Sequence, residues 1–230
     1  MTAIPIVALD LPSTRDALAL VERLGDECRF YKVGSELFTR EGPAVVQALR
    51  DAGCDVFLDL KFHDIPNTVR QGAAAAASLG ARLLTVHASG GEAMVRAAVE
   101  GAGEGCGVLA VTILTSLDAG MLARAWGRDT VSIDDEVLRL AGVAATAGAH
   151  GIVCSGRELA AVRTRFGDRL APLVPGIRLA GGASHDQART MGPGEAARAG
   201  ARYLVLGRAV TAAADPVAAM HAVRRELGEA

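Results

Sequence analysis

Two acids and one lysine stand within six residues in Asp59-Leu60-Lys61-Phe62-His63-Asp64, directly after the apolar run Val56-Phe57-Leu58. Val56–Lys61 reads as a strand, in which side chains alternate between faces with a period of two. Asp59 and Lys61 therefore share a face with Phe57, Leu58 and Leu60 take the other, and Asp64 falls beyond the strand end, ahead of Pro66. An ammonium held between carboxylates stays charged. The chemistry on offer is a fixed positive charge that can also deliver a proton. A solvated strand end with ordinary ion pairs has the same composition, so the rest of the chain must decide between the two.

One count bears on that choice. Of 24 basic residues, 22 are Arg, and Lys32 and Lys61 are the only lysines. Surface charge is served by either residue, but a compact ammonium able to give up a proton is not replaced by guanidinium. Both lysines fall on strand candidates, where a solvated Lys is unexpected.

The elements that must position them alternate along the chain. Strands are expected at Ile4–Leu9, Phe30–Val33, Val56–Leu60, Leu83–Val86, Val108–Leu114, Gly151–Cys154, Pro172–Val174 and Tyr203–Leu206, with helices such as Thr14–Leu24, Pro43–Ala52, Thr68–Leu79, Glu92–Gly101 and Asp134–Ala147 between them. Ser13 or Thr14, Ser155 and Asp215-Pro216 suit helix starts, and Gly25, Gly53, Gly80 and Gly200 suit helix stops. The Ala-rich run Gly72–Ala77 sits inside a helix pattern and reads as close packing. Eight such units without a composition break imply an α/β fold, a single-domain (β/α)8 TIM barrel over 1–230. An open doubly wound sheet is the alternative, disfavoured because no GxGxxG follows the first strand.

In a barrel, chemistry gathers at the C-terminal strand ends. Those ends carry Asp10, Lys32, Asp59 with Lys61, His87, Thr115-Ser116, Pro175-Gly176-Ile177-Arg178 and Gly207-Arg208. The last two loops pair glycine backbone with Arg, which suits a phosphate, although turn glycines beside surface arginines look alike. Between them, Ala180-Gly181-Gly182-Ala183-Ser184 precedes Gln187 and could close on bound phosphate as a lid. Trp126, in the long segment Asp118–Ser132, is expected to pack that segment against the barrel, and His150 and His221 to be structural or solvent-facing.

Composition removes other classes. A net charge of −2 gives no basic footprint for nucleic acid. No apolar run approaches the ~20 residues of a membrane span. The start, Met1-Thr2-Ala3-Ile4-Pro5-Ile6, lacks a positive region and reaches Asp10 too soon for a secretory signal. Cys28, Cys54, Cys106 and Cys154 are widely spread and read as buried thiols of a reduced cytoplasm, with no metal site.

Asp59-Leu-Lys-Phe-His-Asp64-Ile-Pro-Asn-Thr68 resembles the signature of the orotidine 5′-phosphate decarboxylase family, bacterial type. Ala8-Leu9-Asp10, Tyr31-Lys32-Val33-Gly34, Thr85-Val86-His87-Ala88, Leu114-Thr115-Ser116, Pro175-Gly176-Ile177-Arg178, Asp186-Gln187 and Gly207-Arg208 match in family order over nearly the whole chain. Met191-Gly192-Pro193 departs from it, where bacterial members tend to have Thr-Pro. The resemblance implies a cytoplasmic homodimer that converts orotidine 5′-monophosphate to UMP and carbon dioxide in pyrimidine biosynthesis, with no metal or organic cofactor. It implies Lys32, Asp59, Lys61 and Asp64 at the reacting centre, Asp64 with Ile65 and Thr68 being supplied to the partner's site. It implies Asp10 and Lys32 on the ribose, Ser116 on the pyrimidine edge, and Gln187, Gly207 and Arg208 on the phosphate beside Pro175. Arg178 is expected to neighbour that loop without touching substrate.

The nearest rivals on this scaffold, magnesium-dependent sugar-phosphate decarboxylases and hexulose-phosphate synthases, share Asp-x-Lys-x-x-Asp but carry an acid where Lys32 stands. A barrel that only binds nucleotides is the rival of another class. The intact Lys-Asp-Lys-Asp set argues against it.

Overall fold

The structure, a computed structural model, describes residues 3–179 and 191–229. Eight parallel strands close into a barrel in chain order: β1 (Ile4–Ala8), β2 (Phe30–Gly34), β3 (Asp55–Phe62), β4 (Leu83–His87), β5 (Gly107–Val111), β6 (Gly151–Val153), β7 (Ala171–Val174) and β8 (Tyr203–Leu206), with β1 pairing β8. The helices are α1 (Thr14–Leu24), α2 (Ser35–Glu41), α3 (Pro43–Asp51), α4 (Pro66–Ser78), α5 (Glu92–Ala102), α6 (Ala119–Ala125), α7 (Ile133–Thr146), α8 (Leu159–Phe166), α9 (Pro193–Ala199), α10 (Arg208–Thr211) and α11 (Pro216–Leu227). Among the described residues no helix is long and apolar enough to cross a membrane.

Local chemistry explains the element ends. Ser13 accepts from Asp16 N–H to open α1, and Asp215 accepts from Val217 and Ala218 N–H ahead of Pro216 to open α11. Ser155 caps one 3₁₀ turn before α8 through a reciprocal pair with Glu158. The Ala-rich stretch works as close packing: Ala73 and Ala76 are buried, and a Cβ at Gly101 of α5 would overlap the Arg70 carbonyl of α4.

Period two divides the strand side chains into two cores. Val7, Tyr31, Val33, Val56, Leu58, Leu84 and Val86 point outward beneath the helices. Ile6, Ala8, Phe30, Phe57, Leu83, Leu109, Leu173, Tyr203 and Val205 fill the barrel interior. The inward series change character toward the C-terminal ends, running Phe30–Lys32, Phe57–Asp59 and Leu83–Thr85. The interior is thus an apolar plug with a polar mouth.

One expectation fails here. β5 ends at Val111, because Thr112 turns out of the pleat and bonds Val153 O through both N–H (3.1 Å) and Oγ1 (2.8 Å). Trp126 caps the C-terminal end of α6 with 36% of its surface exposed. The four cysteines are free and buried, and burial pushes the Cys106 thiol up to about 11, which makes it a poor nucleophile. His221 lies 3.2 Å from Glu27 on the surface.

At the opposite end of the barrel, His150 Nε2 lies 3.0 Å from Tyr203 Oη. Burial, then the charges of Arg202 and Arg82, hold the imidazole below its ordinary 6.5. The unfolded chain therefore binds more protons than the folded one just below that value, so this site's stabilisation is complete above it and declines as pH falls toward the folded value. In His150→Gln the loss of melting temperature on acidification from 6.5 downward is expected to be shallower than in wild type. Parallel slopes in a pH series of thermal melts would refute this.

Candidate active site

The first three strands bring their charges together by register. Ala8 pairs with Lys32, and Gly34 pairs with Asp59. Asp10, two residues beyond Ala8, therefore lies near the level of Gly34 and Asp59, one layer above Lys32. Lys32 Nζ rises between the two carboxylates, 2.8 Å from Asp10 Oδ1 and 3.8 Å from Asp59 Oδ2. A Cβ on Gly34 would stand 2.9 Å from that ammonium and 3.0 Å from Asp10 Oδ1, so glycine is what leaves the charge its place. Lys61 Nζ completes the row 2.8 Å from Asp59 Oδ1. Cations and anions alternate as Asp10, Lys32, Asp59, Lys61. Lys32 and Asp59 are nearly buried, with side chains 10% and 13% exposed, whereas Lys61, at 37%, presents its ammonium to the mouth. Buried charges persist only when paired in this way.

Lys61 reaches the cavity by a route that strand alternation does not predict. Pairing with β4 runs Leu58 to Leu84 and then Phe62 to Val86, so four residue steps on β3 face two on β4. Lys61 absorbs the excess at φ +52°, the only non-glycine at positive φ among the described residues. Its N–H donates to Thr85 Oγ1 at 2.9 Å, and the same hydroxyl donates to Asp59 Oδ1 at 2.9 Å.

These charges form one wall of a cavity of about 270 Å³. Its floor is apolar, with Ala8, Phe57, Val153, Leu173 and Val205. The opposite wall carries Pro175, Gly176, Gly207, Arg208 and also Arg178. Gly176 adopts φ +77°, which favours glycine. Gly207 differs, because a Cβ there would meet nothing within 4 Å, leaving backbone open to a ligand. Arg178 lines the cavity beside that loop. Ile177 is buried in the outer core and bridged to Met191, so the next side chain turns to the cavity, and among the described residues the buried Arg178 Nε has no hydrogen-bond partner. The Met191 carbonyl closes this bridge by accepting Arg178 N–H at 3.0 Å.

Asp10, Lys32, Asp59, Lys61, Pro175, Gly207 and Arg208 thus meet around one cavity, and four other candidates stay off its walls in this chain. Asp64 is exposed and accepts Ile65 N–H at 2.6 Å. Ile65 is 66% exposed, and Thr68 lies on the outer first turn of α4. Ser116 is exposed in a turn closed by Leu117 N–H on Leu114 O at 3.0 Å, a consequence of β5 ending early. Gln187 and the expected lid Ala180–Ser184 lie outside the described residues. Burial, then the charges of His63 and Lys61, lower the basicity of His87. Among the described residues no cluster of three or more His, Cys, Asp or Glu could hold a metal ion.

Comparison with known proteins covers nearly the whole chain. A family model described as the orotidine 5′-phosphate decarboxylase / HUMPS family matches residues 4–223. The chain is 52% identical over 224 residues to the orotidine 5′-phosphate decarboxylase of Anaeromyxobacter dehalogenans, covering 96% of each sequence. It is 48% identical over 223 residues to that of Cutibacterium acnes, covering 96% of this chain and 94% of the relative. The crystal structure of orotidine 5′-phosphate decarboxylase from Lactobacillus acidophilus superposes with a TM-score of 0.87 at 38% identity, covering 99% of both chains.

The positive φ at Lys61 carries a stability prediction. A residue bearing Cβ pays about 1 kcal/mol or more in that region and glycine does not. Both Lys61→Ala and Lys61→Gly delete the ammonium, so their difference isolates the backbone. Lys61→Gly is expected to be more stable than Lys61→Ala by about 1 kcal/mol in urea unfolding. Greater stability of the alanine variant would rule out the left-handed conformation.

Proposed function

Because the chain belongs to the orotidine 5′-phosphate decarboxylase / HUMPS family, we propose that it converts orotidine 5′-monophosphate to UMP and carbon dioxide. The observation that carries this reading is the alternating row Asp10, Lys32, Asp59, Lys61, which ends on an ammonium open to the cavity. The bond from the pyrimidine ring carbon to the carboxylate breaks, carbon dioxide leaves, and the electron pair stays on a ring carbon with no adjacent sink. Lys61 stabilises that charge as it develops and then gives its proton to the carbon. Asp59 accepts from Lys61 at 2.8 Å and fixes the ammonium before substrate arrives. The substrate carboxylate would lie close to Asp59, and its departure would relieve that repulsion.

Phosphate would sit on the far wall, held by Gly207 N–H, Arg208 and Gln187, with Pro175 beside it. The buried Nε of Arg178, without a hydrogen-bond partner among the described residues, supports adding that residue to the set. Asp10 and Lys32 would take the ribose hydroxyls and Ser116 the pyrimidine edge. Remote phosphate contacts then help to hold the reacting ring against the charged wall. Magnesium fits poorly in this cavity. It requires free oxygen ligands, whereas one oxygen each of Asp10 and Asp59 is already bonded to an ammonium and Lys32 stands between them.

The proposed assembly is a homodimer in which Asp64, Ile65 and Thr68 of one subunit complete the other's site. Support comes from the exposed Asp64 carboxylate and from Ile65, a large apolar side chain left in solvent in the single chain.

Protein treated with chelator is expected to consume orotidine 5′-monophosphate at the untreated rate, followed by ultraviolet absorbance. Activity lost on chelation and restored by magnesium would move the protein to the metal-using side of the family. Lys61→Ala is expected to lose at least about 10³-fold in kcat, and Lys61→Arg to recover little, because guanidinium keeps the charge but is a poor acid. Mixing inactive Lys61→Ala and Asp64→Ala proteins is expected to regenerate one intact site per hybrid dimer. No recovered turnover in verified hybrids would exclude the shared site.

A further inference from the structure

Thr85 stands inward on β4 between Leu83 and His87, with 1% of its surface exposed. Its hydroxyl closes a ring of hydrogen bonds around Lys61. The Lys61 N–H donates to Thr85 Oγ1 (2.9 Å), Thr85 Oγ1 donates to Asp59 Oδ1 (2.9 Å), and Lys61 Nζ donates to the same Oδ1 (2.8 Å). The directions are fixed by chemistry: an amide N–H can only donate and an ionised carboxylate can only accept, so the single hydroxyl proton goes to Asp59. The bulge explains the need. Between the Leu58–Leu84 and Phe62–Val86 pairs, Lys61 N–H finds its partner in this side chain instead of a β4 carbonyl.

We propose that Thr85 is a positioning residue for decarboxylation, a role that rests on the decarboxylase reading above. Lysine has a flexible four-carbon stem, so the place of its ammonium depends on where the stem starts and where the ammonium is anchored. Thr85 fixes both points, the start through the left-handed backbone at residue 61 and the anchor through the carboxylate rotamer of Asp59. At 1% exposure, water does not readily replace the hydroxyl. Without it, Lys61 N–H and one acceptor site of Asp59 lose their partner, and the proton donor shifts relative to the reacting carbon. Misplacement by 1 Å is enough for about a hundredfold loss of rate.

Thr85→Val keeps the shape and removes the hydroxyl, whereas Thr85→Ser keeps the hydroxyl and removes the methyl. Thr85→Val is expected to lower kcat about a hundredfold. Its KM and its affinity for UMP by calorimetry should change less than about threefold, because phosphate is held on the opposite wall. Thr85→Ser is expected to stay within about threefold of wild-type kcat. Amide hydrogen exchange at Lys61 should be protected in wild type and Thr85→Ser and rapid in Thr85→Val. Wild-type kcat in Thr85→Val, or a Thr85→Ser variant as damaged as Thr85→Val, would overturn the proposal. If Thr85→Val does not fold, Thr85→Ala against Thr85→Ser decides the same question. A wild-type protein without decarboxylase activity would sink the functional reading itself, while the exchange comparison would still decide whether the hydroxyl clamps the bulge.

Discussion

The Asp59 carboxylate is the interaction on which the rest of the site depends. It sits nearly buried directly above Phe57, with Lys61 Nζ and the Thr85 hydroxyl on one oxygen and Lys32 3.8 Å from the other. An isolated carboxylate in that place would be costly and would take up a proton instead. Surrounded by two ammonium groups and a hydroxyl it persists, and it holds each of them in turn. Removing either lysine leaves it under-compensated, and removing Asp59 leaves two cations facing each other across an apolar floor. The wall therefore behaves as a unit, in which the cost of one substitution includes the charge left behind on its neighbour.

A parallel barrel suits such a unit. Neighbouring strands lie about 4.8 Å apart, so inward side chains one layer apart on β2 and β3, with Thr85 on β4 and Asp10 just past the end of β1, come within hydrogen-bonding reach. The alternation of sign follows from that spacing, because like charges at such distances would repel. The single irregular step is at Lys61, where the chain spends backbone strain to turn a side chain upward at the end of β3. Strain of this kind survives only where surrounding contacts over-determine it, and Thr85 on the next strand supplies them.

Much of this was legible in the sequence, for identifiable reasons. The strand runs and their inward period place Asp10, Lys32 and Asp59 at one mouth, and the scarcity of lysine marks Lys32 and Lys61 before any contact is known. The bulge is not legible, since a register shift belongs to two strands at once and Thr85 reads simply as a β-branched strand residue. Nothing in Pro175-Gly176-Ile177-Arg178 reveals that Ile177 is drawn into the outer core and Arg178 turned to the cavity. Ser116 follows an expected strand end, Leu114, that β5 does not reach. Asp64 and Ile65 have a sequence position but no cavity of their own chain to face.

The choice of lysine over arginine at residue 32 follows from the space available. The ammonium occupies a gap above Gly34, between two carboxylates, that even one methyl would crowd. A guanidinium is planar, wider and forked, and needs more room than the gap above Gly34 leaves. A compact point charge contacts both, so Gly34 and Lys32 are one device, the glycine making room and the lysine filling it with charge. The same reasoning explains why a chain with 22 arginines keeps lysine here and at residue 61. At residue 32 the requirement is size, and at residue 61, on the proposed chemistry, it is a proton that can leave.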